Sequence, residues 1–326
     1  MFQKKVSVLL AASLLLLTAG CSDLSKPMTK AGFALNTTID ITVYDSNDKA
    51  LLDSCFKKIE QYEELMSKTI STSDISRINA AGGKEVAVAK DTLTLLQTAL
   101  EISRLSNGAF DCTIAPVSNL WDFTAKDPAV PNAALLQKNT AWVDYRTVIV
   151  GKDTVKLGNP KAALDLGGIA KGYIADRISE YLASQNVKSA LINLGGNVLA
   201  VGDKKGKPWN IGICNPQKPD EIIATVAVKN QSVVTSGSYE RYFMKDGIRY
   251  HHLLDPKTGM PVHNGLASVT IVSDKSDWGD GLSTACFVLG EQRGMELIES
   301  INGIEALFVK EDGSVAASQG LQFELK

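Results

Sequence analysis

The chain has 326 residues, a net charge of −2 and 44% hydrophobic residues. Positive and negative side chains are interspersed, which excludes the basic footprint of a nucleic-acid-binding protein. No stretch between residues 31 and 326 has the composition of a linker. We therefore predict one large α+β domain over residues 31–326, with mixed sheets, packed helices and a sizeable core.

The first thirty residues have the features of an exported lipoprotein. Lys4 and Lys5 precede an apolar run at 6–17 that is too short to cross a bilayer as a mature helix. Small residues then precede Cys21, as in a bacterial lipobox. We expect residues 1–20 to be a signal peptide, Cys21 to carry the lipid and residues 21–30 to form a tether. The domain would then face the periplasm or the cell exterior. An ordinary secretory signal with an incidental cysteine is the alternative.

The periodicity of apolar residues predicts the elements that follow. Alternation over 33–44 predicts one strand, and residues 73–79 predict a turn followed by a short helix. The Thr-Ser-Gly-Ser-Tyr run at 235–239 predicts a polar turn, which either cradles a phosphate or only links strands. Helical spacing of apolar residues occurs at 50–66, 91–105, 173–185, 282–290 and 293–301.

The segment at 164–173 runs from a predicted strand, through Gly167 and Gly168, into a helix. Glycines allow the backbone to approach a ligand closely, and a helix N-terminus offers free N–H groups to a phosphate. The spacing matches neither the dinucleotide-binding glycine fingerprint nor a Walker A loop. A plain tight turn explains these residues equally well.

Asp280 and Thr284 are four residues apart in a predicted helix, so their side chains lie side by side. A carboxylate and a hydroxyl suit Mg²⁺ together with water and phosphate oxygens. Leu282 and Cys286 fall on the opposite face, which we expect to pack against the core. The alternatives are a solvated pair of oxygens, or Asp280 acting as a helix cap.

Two of the three histidines are adjacent, His251 and His252, before an Asp-Pro-Lys-Thr-Gly turn. Strand alternation allows only one of them to face a site. His252 shares its face with Tyr250 and Leu254, an apolar company in which its protonation can be tuned. The alternative is that both histidines only fill a sheet.

A loop after residue 108 places Asp111 beside aromatic and hydroxyl groups. Trp121 and Phe123 follow and could stack on a planar ring, although a loop that only packs against the core fits as well. Cys55, Cys112, Cys214 and Cys286 contain no Cys-x-x-Cys pair, which argues against zinc, and their spacing identifies no disulfide.

In order along the chain, these segments resemble the ApbE family of FAD:protein FMN transferases, which includes periplasmic flavin-trafficking lipoproteins. Each match alone is weak, but eight in sequence are specific. The matching segments are 33–38, 67–79, 109–121, 164–176, 193–197, 235–242, 251–261 and 279–290.

The resemblance implies that the protein binds FAD with Mg²⁺, releases AMP and esterifies FMN to a Thr or Ser of a target protein, such as a subunit of a membrane redox complex. It implies that the metal ligands are the carboxylate of Asp280, the hydroxyl of Thr284 and a backbone carbonyl at Gly168. It places proton handling on His252. The implied flavin and adenine contacts are Leu35, Thr69, Ala109, Phe110, Asp111, Asp165, Lys171 and Leu254.

Two departures from the family pattern concern flavin binding. Leu35-Asn36 replaces a frequent Met-Gly, and Thr69 replaces an aromatic residue.

Two rival functions are compatible with the same fold. An FAD pyrophosphatase would use the same residues with water as the acceptor, whereas a non-catalytic flavin-binding lipoprotein would not require Asp280, Thr284 and His252.

Overall fold

The computed structural model describes residues 26–326. The predicted signal peptide and Cys21 lie outside the described residues. The eight α-helices of the described part are α1 (Lys49–Met66), α2 (Asp74–Ala80), α3 (Lys90–Leu105), α4 (Ala115–Ser118), α5 (Ala133–Thr140), α6 (Ala170–Ser184), α7 (Ser276–Leu289) and α8 (Glu291–Glu299).

The same part of the chain contains sixteen strands. They are β1 (Met28–Ala34), β2 (Thr37–Val43), β3 (Val86–Ala87), β4 (Val148–Val150), β5 (Thr154–Leu157), β6 (Ser189–Leu194), β7 (Asn197–Gly202), β8 (Trp209–Asn215), β9 (Lys218–Val228), β10 (Gln231–Gly237), β11 (Tyr242–Lys245), β12 (Ile248–His251), β13 (Leu266–Ser273), β14 (Ile304–Lys310), β15 (Val315–Ala317) and β16 (Phe323–Leu325).

An eight-stranded antiparallel sheet in the order β1-β2-β6-β7-β10-β13-β14-β15 organises the molecule. Along β13 the side chains alternate between two cores: Ile271 packs with α7 residues, and Val272 packs with β8 and β9 residues. Helices therefore cover one face of this sheet, and the three-stranded sheet β16-β9-β8 covers the other. The predicted single α+β domain is confirmed.

The region predicted as one strand over 33–44 is a hairpin of β1 and β2. Leu35 and Asn36 form its turn, with φ angles of 54° and 56°. Left-handed backbone at both central positions matches the twist of a two-residue hairpin. β1 begins at Met28, so residues 28–30, which were expected to be part of the tether, belong to the sheet.

Helices α1 and α3 begin within one residue of the predicted positions, but α7 begins at Ser276 rather than at residue 282. Its first turns are polar and glycine-rich, so they lack the apolar periodicity on which the prediction rested. No helix of the described residues combines the length and the apolar character of a membrane span. All four cysteines within residues 26–326 are free thiols, and Cys214 alone among them is exposed.

Helices α6 and α7 approach each other closely at Gly172. A Cβ atom there would lie 2.1 Å from the carbonyl oxygen of Ser276, and backbone atoms cannot move aside. We expect Gly172→Ala to lower the free energy of unfolding by at least about 3 kcal/mol, at the upper end of overpacking costs. Urea denaturation measures this loss. Gly281→Ala, whose Cβ meets a side-chain methyl of Ile102, is the matched control and should cost less. Equal costs would contradict the close approach.

Candidate active site

Helix α7 presents Asp280 and Thr284 on one face, as their spacing predicts. Asp280 is 4% exposed, and its Oδ2 accepts a hydrogen bond of 2.9 Å from the backbone N–H of Gly172. Burial raises the pKa of Asp280, and the nearby charge of Lys171 opposes that rise. Asp280 lies inside α7 and is not its cap. It is a buried carboxylate next to the start of α6.

The glycine turn meets this face of α7. A Cβ atom on Gly168 would lie 3.3 Å from the Phe110 ring and 3.4 Å from Oγ1 of Thr284. No named strand precedes the turn, contrary to the prediction: the segment makes only an isolated parallel bridge between Ala163 and Ile114, and an amide side chain pairs with Leu164. Asn79 accepts from the N–H of Leu164 at 2.6 Å and donates to its carbonyl at 2.9 Å. The three residues expected to bind metal therefore adjoin one another.

Asp165 anchors the turn through both carboxylate oxygens. Oδ1 accepts from the N–H of Gly167 at 3.0 Å, and Oδ2 accepts from Ser118 at 2.7 Å and pairs with Lys68 at 2.8 Å. Burial raises the pKa of Asp165, but the Lys68 ammonium and these hydrogen bonds outweigh it and hold the pKa below its usual range. Sequence reasoning missed Lys68, which is adjacent to the exposed Thr69.

The loop over residues 109–113 packs against the glycine turn at Gly168 and contains a carboxylate with a structural role. The Phe110 side chain is buried against Gly168. Asp111 instead accepts from the backbone N–H and hydroxyl of Thr113, at 2.8 and 2.6 Å, and from the N–H of Tyr145 at 3.0 Å. Its carboxylate is therefore engaged in holding two loops together, while Ala109 and Phe110 line the region around the turn.

The two histidines have separate surroundings, as alternation predicts. His251 is 2% exposed, its Nε2 lies 2.9 Å from the carbonyl oxygen of Val262, and its ring packs edge-on against Phe287. It is His251, therefore, that has the more apolar company, and the expectation for His252 was wrong on that point. The cause is that β12 ends at His251, so His252 lies beside charged residues of other segments.

His252 is held by its backbone, and its ring is free to act. Its N–H donates to the carbonyl oxygen of Arg241 at 3.1 Å, whereas Nδ1 is buried with no hydrogen-bond partner among the described residues. Burial, together with the charges of Arg241 and Lys171, lowers the pKa of His252 to about 3. The imidazole is therefore neutral at physiological pH, which is the state that a proton acceptor requires.

Two charged residues, Glu240 and Arg241, join the site although sequence reasoning did not single them out. Arg241 donates from its guanidinium to the carbonyl oxygen of Asn36 at 3.2 Å, which ties the β1–β2 turn, and so Leu35, to the site. Glu240 interacts electrostatically with Lys171, Arg241 and Asp280. The sequence signal that could have identified them is their position as a charged pair directly after the polar, glycine-containing run at 235–239.

The run at 235–239 is not the predicted turn, since its first three residues belong to β10. Ser236 lies under α7, with its Oγ 2.7 Å from the Ser283 hydroxyl and 3.3 Å from that of Thr284. These hydroxyls connect the sheet to the candidate metal ligand.

Trp121 and Phe123 stack on each other, with ring centroids 5.5 Å apart, and pack with Phe243 and Tyr250. We refer to these four residues as the aromatic cluster. Leu254 is buried in the same core. The rings expected to stack on a ligand thus stack on one another in this structure.

Asp176 binds the start of α7: its carboxylate accepts hydrogen bonds from the N–H groups of Ser276 and Asp277, both at 3.1 Å. Burial, followed by the charge of Asp277, raises the pKa of Asp176 from 3.8 to about 7. The folded state therefore favours the protonated form. Its stabilisation is complete below the unfolded pKa and is lost as the pH rises through about 7.

We expect Asp176→Asn to lack this loss, because an amide does not ionise. The difference in unfolding free energy between wild type and variant should shift in favour of the variant as the pH rises from 3 to 8, which spans the two pKa values of 3.8 and about 7. Urea denaturation at several pH values measures it. Burial lowers the pKa values of His251 and His252, so their ionisation makes stability rise with pH instead. Both histidines are present in wild type and variant, and their effect cancels in the difference. Parallel curves would contradict the assignment.

Comparisons with known proteins agree with this arrangement. The model of the ApbE family matches residues 35–308. An FAD:protein FMN transferase of Klebsiella pneumoniae (strain 342) is 40% identical over 284 residues, covering 85% of this chain and 88% of the relative. One from Treponema pallidum (strain Nichols) is 36% identical over 318 residues, covering 90% and 87%.

Solved structures show the same fold. The ApbE protein of Thermotoga maritima superposes with a TM-score of 0.83 at 32% identity, covering 90% of this chain and 97% of that one. The apo flavinyl transferase ApbE of Pseudomonas stutzeri gives 0.79 at 31% identity, covering 90% and 95%. The conserved fold, the family match and the identity over most of the chain lead to one conclusion: this chain belongs to the ApbE family.

Proposed function

We propose that this protein is a Mg²⁺-dependent FAD:protein FMN transferase. It cleaves the pyrophosphate of FAD, releases AMP and joins FMN through a phosphoester to a Thr or Ser of a target protein. One observation carries the proposal: Gly168, Asp280 and Thr284 adjoin at one end of α6, and the charge of Lys171 there acts on both Asp280 and His252. Passive flavin binding requires neither a buried carboxylate nor an unpartnered imidazole.

The donor set fits Mg²⁺. A carboxylate, a hydroxyl and a backbone carbonyl are hard oxygen ligands, and Asp280, Thr284 and Gly168 would supply them. Burial without a cation disfavours ionised Asp280, as the direction of its pKa shift indicates. A bound Mg²⁺ would neutralise charge on the pyrophosphate and on the leaving phosphate.

The remaining residues bind and orient the substrate and move one proton. Lys171 adds positive charge where the pyrophosphate would lie. The acceptor hydroxyl oxygen forms a bond to the FMN phosphorus, the bond from that phosphorus to the AMP oxygen breaks, and His252 takes the hydroxyl proton. Leu35, Thr69, Ala109, Phe110, Asp165 and Leu254 are the proposed flavin and adenine contacts, and the Asp111 carboxylate holds the loop that carries Ala109 and Phe110.

The main test is transfer itself. The protein is incubated with FAD, Mg²⁺ and candidate Thr- or Ser-containing acceptor proteins, and intact-protein mass spectrometry follows the acceptors. We expect an acceptor to gain the mass of FMN less one water while AMP appears in equal amount. AMP and free FMN without a modified acceptor would favour the pyrophosphatase, and bound but intact FAD would favour the non-catalytic flavin carrier.

We also propose that the protein is exported and anchored to a bacterial membrane through a lipid on Cys21. The support is the basic, apolar and small-residue order of residues 1–21. We expect Cys21→Ser to abolish lipid attachment, because the thiol is the acylated group, and to yield a soluble or uncleaved precursor with unchanged FAD cleavage. Labelling with a radioactive fatty acid followed by an activity assay measures both. A variant that still incorporates the fatty acid would contradict the anchor.

A further inference from the structure

One end of the eight-stranded sheet is the end at which β1 begins. The strand register places four residues in one row across β1, β2, β6 and β7: Met28, Val43, Ala190 and Val201. The N–H of Tyr44, just beyond that row, donates to the carbonyl oxygen of Ser189 at 2.9 Å. The loops after β2 and β7 and the loop before β6 therefore emerge beside the start of β1. We refer to this part of the molecule as the basal end of the sheet.

Lysines outnumber acids in the loops of the basal end. Asp203 pairs with Lys229 at 2.8 Å, and Asp45 accepts the backbone N–H of Lys188 at 2.7 Å. Asp48 caps the start of α1. The exposed lysines of these loops and of the segment before β1 are Lys26, Lys188, Lys204, Lys205, Lys207 and Lys229. The whole chain has a net charge of −2, so this positive charge is local.

The turn between β7 and β8 presents three of these lysines from ordered backbone. Lys204 and Lys207 pair through their backbones, with N–H to oxygen distances of 2.8 and 3.3 Å. The Lys204 ammonium lies 6.0 Å from the ring centroid of Tyr44 and 5.8 Å from that of Trp209. Lys204, Lys205 and Lys207, which we call the basic turn, form no ion pair within residues 26–326. Their charge is therefore available to an external anion.

The proposed lipid anchor would hold the basal end close to a membrane. Met28 follows Cys21 by seven residues. An extended chain spans at most about 3.6 Å per residue, so β1 would begin within about 25 Å of the acylated cysteine. A link this short gives a high effective concentration of the membrane surface at the basic turn, so individually weak contacts become occupied.

The candidate active site lies toward the opposite end of β1. This strand leads from Met28 to Ala34, and the turn after it is tied to the site by the hydrogen bond from Arg241 to Asn36. A strand rises about 3.3 Å per residue, so β1 separates its two ends by about 20 Å. Contact between the basal end and a membrane would therefore leave the site open to acceptor proteins.

We propose that the basal end is a docking surface for the anionic lipid headgroups of the membrane to which the protein is anchored. The basic turn, with Lys26 and Lys188, contacts the headgroup phosphates. Each lysine close to an anionic membrane surface strengthens binding roughly fivefold. Docking fixes the domain with its basal end on the membrane and the active site about 20 Å above it, the length of β1. The proposal rests on the lipid anchor on Cys21 and adds the orientation of the domain.

Energy transfer from Cys214 to the membrane tests the proposal. Cys214 is the exposed thiol among the four cysteines of residues 26–326, and it lies on β8. The processed wild-type protein, with a maleimide donor on Cys214, is added to vesicles that contain a headgroup-labelled acceptor. The vesicles are phosphatidylcholine alone or phosphatidylcholine with phosphatidylglycerol. We expect higher transfer efficiency with phosphatidylglycerol, and we expect this increase to disappear as salt is raised from about 0.1 M to about 1 M.

Reversing the charge of the basic turn should remove the effect of phosphatidylglycerol. In the variant Lys204→Glu/Lys205→Glu/Lys207→Glu, the turn repels the headgroup phosphates. Transfer efficiency should therefore be the same in the two kinds of vesicle, while the lipid still holds the protein on both.

A matched control changes three exposed lysines in and beside the separate β3-β5-β4 sheet. Lys84→Glu/Lys152→Glu/Lys156→Glu makes the same change in net charge and should behave like wild type. Cleavage of FAD without vesicles should be equal in all three proteins, because none of these lysines belongs to the candidate active site.

Vesicle flotation separates this proposal from the lipid anchor. Wild type that floats only with phosphatidylglycerol, in a manner lost on charge reversal, would refute the anchor and support the docking surface. Flotation with neither kind of vesicle would refute both. Flotation with both, together with equal energy transfer in both or an increase that the reversed-charge variant retains, would overturn the docking surface and leave the anchor standing.

Discussion

Replacing Asp280 with alanine should abolish FAD cleavage. Its carboxylate is the one acidic group proposed to hold the metal, and removing it forfeits the several kcal/mol of charge stabilisation that a bound cation gives. We expect AMP release to fall at least about a thousandfold, which corresponds to roughly 4 kcal/mol in the barrier. A coupled assay for AMP, with Mg²⁺ in excess, measures the loss.

Two companion variants separate chemistry from folding. Asp280→Asn keeps an oxygen that can accept from the N–H of Gly172, so it should fold normally and still lose activity. Asp277→Asn removes a neighbouring acid of α7 that accepts from Thr98 and from the N–H of Trp278, and it should retain most activity. Full FAD cleavage by Asp280→Ala in EDTA would refute the metal assignment.

Replacing His252 with alanine should lower FMN transfer by about two to four orders of magnitude, the range for losing a general acid or base. FAD affinity should change little, because a proton acceptor acts mainly in the transition state. The pKa of about 3 keeps the ring neutral, so protonation of His252 should cause no loss of rate between pH 7 and pH 5. Steady-state kinetics and a separate measurement of FAD binding test both points.

His251→Ala is the matched control. His251 contacts the carbonyl oxygen of Val262 and the ring of Phe287, so its loss should reduce stability and leave turnover nearly intact. Comparable losses of rate in the two variants would contradict the separation of the histidines. A larger loss from His251→Ala would transfer the catalytic role to it.

Local spacing predicts those parts of this site that lie within one element. Asp280 and Thr284 share a face because they are four residues apart in a helix. The predicted separation of the two histidines is also found, although β12 ends at His251 and His252 lies just beyond it. The apolar stripes of α1 and α3 predict those helices to within a residue at their starts. These features depend only on periodicity.

Features that depend on contacts between distant segments were missed. Lys68 and Asp165 form an ion pair across ninety-seven positions of sequence, and Arg241 reaches Asn36 across 205. The β1–β2 turn was not predicted because Leu35-Asn36 is not the Asn-Gly pair that usually marks such a turn. Asp111 shows the opposite error. An aspartate in such a loop is typical of a functional site, but its carboxylate oxygens accept hydrogen bonds from two loops.

The transferase function is tested most directly by incubating the purified protein with FAD and a Thr- or Ser-containing acceptor protein, with and without Mg²⁺, and measuring AMP, the FMN-modified acceptor and the FAD that remains. We predict that AMP appears only with Mg²⁺, in proportion to the FAD consumed, and that the Asp280→Ala protein releases none. A protein that binds FAD and returns it intact under the same conditions would contradict the account.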